Sequence, residues 1–443
     1  MSKKTVYCAF LALFLIISVV LSAGVVLWGP SEAGANEILS KDPEWIDKEG
    51  NINPDYLSDL ATWMSDHFFG RQELISAHNY LTSVFFGHSG TDSVVLGKDG
   101  WLFFTETVGS YTGSEGMSDR DLYGAARNLY LIQEYCNANG MEFRFMLAPN
   151  KNSLYPQFMP DFGAINESTD AQRLHQLLQE MGVAYIDLFD AFRDQEEVLY
   201  FAHDSHWNSK GAALGADLII DAFGDESSYF LDTFSGSEAH LGDLFEMTYP
   251  AFSDSERNPV YGGQLNFTYA GKMTNPNSIT LNTVGNGKEN LLAFRDSFGI
   301  LLYPYLADHY CNARFSRANA YNLVQTTALE TDDVLIELVE RNICYLIQNL
   351  HVMPAPVRDI SLPEHISGSI TISMEESKQP KDTVKLTGTF AVQPDTNSPV
   401  YVICGGVAYE AFAQEEGFGA YVPEEAHSIV YYVGGELLMF DIV

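Results

Sequence analysis

Apolar residues run almost unbroken from Val6 to Trp28, behind Lys3 and Lys4. A run of that length spans a bilayer as one helix. The flanking lysines are expected to stay on the cytoplasmic side, which exports everything that follows. A secretory signal is the alternative, with Ala33-Gly34-Ala35 as a small-residue cleavage site, but its apolar core would be shorter. Residues 1–30 are read as the anchor or signal and 31–51, polar with Gly and Pro, as a linker.

Helical spacing covers Tyr56 to Phe86, with a break near Phe69-Gly70. Two apolar runs around Lys98-Asp99-Gly100 predict a hairpin. Beyond Ser118 helix and strand periods alternate. Helices are expected over 119–138, 170–181, 209–223, 300–310 and 331–340. Strands are expected over 142–147, 183–188, 290–294, 313–316 and 343–347. This order predicts an α/β/α sandwich on a mostly parallel sheet. Residues 225–287, rich in Gly, Asn, Ser and aromatics, break the alternation and are read as an insertion over the site. From about Ser367 short β-branched runs flank Gly405-Gly406 and Gly434-Gly435, which predicts a small all-β module over 367–443.

Composition narrows the function. The 443 residues include 59 acidic and 24 basic ones, for a formal charge of -35. Such a balance repels phosphate backbones and argues against nucleic-acid binding. The five cysteines, Cys8, Cys136, Cys311, Cys344 and Cys404, have neither zinc-ligand spacing nor a disulfide pattern.

Two short motifs carry chemistry. Asp204-Ser205-His206-Trp207 offers an acid and a base two residues apart, hence on one side of an extended segment. Arg295-Asp296-Ser297-Phe298-Gly299 follows an apolar strand and opens a helix, which places the Ser297 hydroxyl at the carboxyl edge of the sheet. A triad is recognised by geometry rather than chain order, so Asp204, His206 and Ser297 qualify for acyl transfer. The bland alternative is that Asp204, Asp296 or Ser297 merely cap helices. A cation site on His203, Asp204 and His206 lacks a further ligand at suitable spacing. Trp101 and Trp207 read as core anchors.

Asp204-Ser205-His206-Trp207 with Asn208, Gly97 to Phe103, Pro149-Asn150-Lys151, Gly242-Asp243-Leu244 and Arg295 to Gly299 resemble, in order, the motifs of the SGNH-hydrolase-like alginate O-acetyltransferases and their Gram-positive DHHW relatives. The resemblance spans about residues 55 to 350, so 52–366 is read as the SGNH-like domain. It implies a Ser297-His206-Asp204 triad that carries an acyl group on Ser297 and passes it to a sugar hydroxyl. No cofactor is implied. The implied partners are a polysaccharide acceptor and a membrane-bound O-acyltransferase that supplies the acyl group. The implied location is the cell membrane with the domain outside, or secretion if a signal is cleaved. Here Arg295 stands where typical SGNH hydrolases have Gly, and the Asp-His pair precedes the serine. Oxyanion and substrate candidates are therefore the Ser297 N–H, Tyr303, Asn150, Arg295 and Lys151, the last alternatively a solvated lysine. The same triad also serves a carbohydrate esterase, with water as acceptor. A non-catalytic glycan-binding surface protein is the reading outside enzymology.

Overall fold

The computed structural model describes residues 3–34, 37–163 and 165–443, so Ala35 of the small-residue triplet lies outside the described residues. The first apolar run is a single helix, α1 (Lys3–Trp28). Two further helices, α2 (Tyr56–His67) and α3 (Arg71–Phe86), are separated by Gly70, whose φ of 76° a side chain would disfavour. The hairpin expected around Lys98-Asp99-Gly100 is present as β1 (Val94–Leu96) and β2 (Leu102–Phe104).

The strands that follow are β3 (Glu142–Ala148), β4 (Tyr185–Asp187), β5 (Phe234–Leu241), β6 (Ser255–Tyr261), β7 (Thr268–Tyr269), β8 (Thr280–Val284), β9 (Asn290–Phe294), β10 (Asn312–Ser316) and β11 (Asp333–Val339). Seven of them form one sheet in the order β4-β3-β11-β9-β10-β8-β7. The pairs from β4 through β10 are parallel. β8 and β7 are added antiparallel at one edge. Residues 225–287 therefore divide: β5 and β6 pair with each other beside the site, while β7 and β8 extend the main sheet.

Each sheet face carries its own core. Helices Asp119–Ala138 and Asp170–Met181 cover one face through residues such as Leu129, Ile132 and Leu174. Helices Ser209–Ala222 and Gly299–His309 cover the other through Ala216, Ile219 and Leu306. A strand clothed on both faces becomes an unbroken apolar run. This explains the one inverted expectation. Residues 331–340 form the central strand β11 rather than a helix, with all seven strand positions buried. Residues 343–347, expected as a strand, lead into the short helix Tyr345–Gln348. Glu337, a charged residue within this run, is fully buried beneath the site.

The chain from Val357 to Ile442 forms a nine-stranded sheet. Phe412 and Tyr421 enter the same core as the helix Asp119–Ala138, so the two sheets share packing. Glu410 locks the junction. Its fully buried carboxylate accepts from Arg127 at 2.6 and 2.8 Å and from Arg358 at 2.6 Å. Removing one partner of a buried ion pair strands the other charges. Glu410→Ala is expected to lower the unfolding free energy by about 3–5 kcal/mol. A denaturant titration followed by far-UV circular dichroism checks this; an unchanged midpoint would contradict it.

Candidate active site

The carboxyl ends of β3, β9 and β11 meet at one edge of the sheet, where ligands of open α/β folds bind. β9 delivers Arg295-Asp296-Ser297. Asp296 ties this end down: Oδ1 accepts from Phe298 N–H (2.8 Å), and Oδ2 accepts from Val339 N–H (2.8 Å) and Asn342 Nδ2 (2.7 Å). Asp296 thus stitches the end of β9 to the end of β11. The hydroxyl of Ser297 is left for a different partner.

That partner arrives on a tight loop after Tyr200. Phe201 N–H donates to His206 O and Asn208 N–H to Leu199 O, which folds residues 199–208 back on themselves. Asn208 caps the next helix through Oδ1, accepting from the N–H groups of Lys210 and Gly211. Asp204 is consequently free of the capping role. The Trp207 indole N–H donates to Phe298 O (3.0 Å), joining the two motifs directly. His206 Nε2 lies 2.8 Å from Ser297 Oγ, and His206 Nδ1 lies 2.7 Å from Asp204 Oδ1. The His206 side chain keeps 21% of its surface exposed, so the pair faces solvent at its reactive end.

Asp204 is held from four directions. Its Oδ1 also accepts from His206 N–H (2.9 Å), and its Oδ2 accepts from Asp243 N–H (3.1 Å) and faces His240 Nε2 at 2.8 Å. Burial alone would raise its pKa, but the hydrogen bonds from His206 and His240 hold the carboxyl well below its usual range. Gly242 makes this approach possible. A Cβ there would lie 2.2 Å from His203 O. Asp243 then accepts from Ser205 N–H and Oγ at 2.8 and 2.7 Å; burial, with the neighbouring Asp204 charge, raises its pKa. Asp204, His206 and Asp243 offer ligand atoms within 4.8 Å of one another. The same side chains form the hydrogen bonds that link Asp204 to His206 and Asp243 to Ser205.

The other candidates sit around the triad in different ways. Lys151 is buried rather than solvated. Its Nζ donates to the carbonyls of Phe201 (3.1 Å), Ala202 (3.0 Å) and Asp204 (2.6 Å), so it supports the loop from below. Burial pushes its pKa down to about 7 against the opposing pull of Asp204, Asp243 and Glu256. Asn150 gives its backbone N–H to Glu340 (2.9 Å), and its buried Oδ1 has no partner. Tyr303 shares a hydrogen bond with Tyr269 (2.8 Å) within the aromatic core. Arg295 bonds the carbonyls of Asp296 and Pro276 and stacks over the Tyr303 ring. Burial lowers its pKa to about 10. Trp101 and Trp207 are buried.

His240 is the residue that the sequence did not announce. It stands on β5, opposite Glu256 of β6, and stacks on Phe201 at 4.0 Å. Burial lowers its pKa, but the Asp204 contact outweighs burial and leaves the value raised. A raised folded pKa contributes stability that is present below about pH 6.5 and is lost as pH rises through the folded value. Going from pH 6 to pH 8 should therefore cost the wild-type chain ~0.5–1 kcal/mol that His240→Gln does not lose. Unfolding midpoints at the two pH values check this; equal losses in both proteins would contradict it.

Part of the chain is similar to known proteins. Residues 94–256 match the family model described as SGNH hydrolase-like domain, acetyltransferase AlgX. A probable alginate O-acetylase AlgJ of Pseudomonas aeruginosa is 27% identical over 167 residues, 35% of this chain. The aligned part spans 41% of that relative's length. Among solved structures, Bacillus cereus PatB1 with a sulfonyl adduct is 17% identical with a TM-score of 0.45, covering 56% of this chain and 95% of PatB1. A DHHW family protein from Eubacterium siraeum is 14% identical with a TM-score of 0.43, covering 60% and 98%. The family match contains Asp204 and His206 and ends before Ser297, which the fold returns to them. Residues 94–256 are thus similar to the SGNH-hydrolase-like domain of AlgX-type acetyltransferases.

Proposed function

We propose that this chain is an extracytoplasmic O-acetyltransferase, retained by α1, that carries an acetyl group on Ser297 and transfers it to a hydroxyl of a cell-surface polysaccharide or exopolysaccharide. The observation that carries this reading is the unbroken line Asp204–His206–Ser297, with contacts of 2.7 and 2.8 Å. The family of residues 94–256 supplies the acetyl chemistry, and the alginate O-acetylase relative points to a polysaccharide acceptor.

In the first half-reaction Ser297 Oγ attacks the acetyl carbonyl carbon while His206 Nε2 takes its proton. Asp204 fixes the tautomer through Nδ1 and stabilises the imidazolium. We assign the oxyanion to backbone N–H groups of Ser297 and the first turn of the helix Gly299–His309. Collapse breaks the bond to the donor's leaving group, which receives the proton from His206. In the second half a sugar hydroxyl gives its proton to His206 and attacks the acyl carbon; the bond from that carbon to Ser297 Oγ breaks, and Oγ takes the proton back from His206. The acyl donor in this scheme is supplied by a membrane-bound O-acyltransferase. We place the catalytic body at about residues 52–356 and the β module at 357–443.

The test is an acetyl-ester donor offered to the full chain with and without a glycan acceptor. The proposal expects acetylated glycan as the main product. Free acetate at the same rate with and without acceptor, and no acetylated glycan, would make the chain an esterase. No turnover and no acylation in either condition would leave only the glycan-binding reading.

A further inference from the structure

Helix α3 is amphipathic in the wrong sense for a soluble surface helix. Ser76, Asn79 and Ser83, at spacings of three and four, face the body of the protein. Ser76 Oγ accepts from Ala251 N–H (2.8 Å), Asn79 Nδ2 donates to Thr248 O (2.7 Å), and Ser83 Oγ accepts from Tyr249 Oη (3.2 Å). Ser76 and Asn79 are buried. The opposite stripe, at spacings of four, three and four, is Leu74, His78, Leu81 and Phe85, with Val84 beside it. Leu81, Phe85 and Val84 are 52%, 73% and 59% exposed, while Leu74 and His78 line a cleft with Asp92 and Glu246. A water-facing helix ordinarily reverses this arrangement.

The adjoining chain identifies what covers the stripe. Phe69, two residues before α3, donates its N–H to Leu21 O of α1 (3.2 Å) and packs its ring 4.9 Å from that of Trp28. A Cβ on Gly24 would lie 2.5 Å from the Cβ of Phe69. The start of α3 is thereby fixed against the last two turns of α1. The 26 residues of α1 span about 39 Å at 1.5 Å each, whereas the hydrocarbon core is about 30 Å thick. The surplus of about six residues puts Gly24 and Trp28, both against Phe69, at headgroup depth.

We infer that α3 lies in the membrane–water interface on the outer side, with Leu81, Val84 and Phe85 among the lipid chains and Ser76, Asn79 and Ser83 holding the body. This rests on the reading of α1 as a retained anchor. The helix thus fixes the orientation of the body as well as its attachment.

The test uses the full chain in vesicles of phosphatidylcholine and phosphatidylglycerol. Cys8, Cys311 and Cys344 are replaced by serine; Cys136 and Cys404 are buried. A nitroxide is placed separately through Leu81→Cys and Phe85→Cys, with Asp190→Cys, an exposed site, as the aqueous reference. Labels at 81 and 85 should collide several-fold more with oxygen, relative to an aqueous nickel chelate, than the label at 190. Equal access of the nickel chelate at all three sites would overturn the inference while the chain still floats with the vesicles. Shielding from both reagents would also overturn it, by assigning the stripe to a protein contact. Failure of the chain to float would sink the anchor reading, and this inference with it.

Discussion

Replacing Ser297 by alanine should reduce acetyl transfer by on the order of 10⁴- to 10⁶-fold, the range set by nucleophile loss in serine triads, and leave the fold intact. The stability half follows from the site. Asp296, not Ser297, makes the hydrogen bonds that join the ends of β9 and β11. The Ser297 hydroxyl bonds to His206. Initial rates with an acetyl-ester donor, together with an unfolding midpoint, check both halves. Retained transfer would remove Ser297 from the chemistry. A lost rate with a collapsed midpoint would assign the effect to folding.

Asp204→Asn should cost on the order of 10⁴ in kcat, with much less change in KM. An amide presents one acceptor oxygen where the carboxylate now serves two N–H groups of the backbone and two imidazoles. Its NH₂ must face either the His206 side or the side of His240 and the Asp243 N–H. In the first orientation His206 is driven to the wrong tautomer; in the second, His240 and Asp243 lose their acceptor. The pH dependence has a definite sign. The folded pKa of Asp204 is depressed, so its stabilising contribution is present above the ordinary carboxylate range near pH 4 and is lost as pH falls through the lower folded value. Asp204→Asn should therefore remove a stability gain that the wild-type chain shows on going from acid pH to neutrality. Separate kcat and KM measurements, with unfolding midpoints at both pH values, check this. A change confined to KM would make Asp204 a substrate-binding group.

That Asp204, His206 and Ser297 come together was legible in the sequence because each sits in a short motif whose local geometry is fixed nearby. A strand leading into a helix places Ser297 whatever surrounds it, and two residues of extended chain put Asp204 and His206 on one side. β11 was misread for a physical reason. Asp-Val-Leu-Ile-Glu-Leu-Val has apolar positions compatible with either period, and only its place at the sheet centre decides. Lys151 was misread because a lysine is ordinarily solvated, and its three carbonyl acceptors come from a loop 50 residues away. His240 had no local signal. Its role depends on the β5-β6 pairing that returns the chain over Asp204. Gly242-Asp243-Leu244 was visible as a motif, but its purpose appears only in the close packing of Gly242 on His203. The pattern of α3 likewise becomes meaningful only once Ser76 and Asn79 are seen to face inward.

The central claim is that Ser297 carries the acyl group. The direct measurement is rapid acid quench of the chain with an acetyl-ester donor and no glycan acceptor, followed by peptide mapping by mass spectrometry. The account predicts one added acetyl group on the peptide containing Ser297, discharged when glycan is added before the quench and missing in Ser297→Ala. Turnover to acetylated glycan with no acetyl on that peptide, or with acetyl on another residue that glycan discharges, would contradict it.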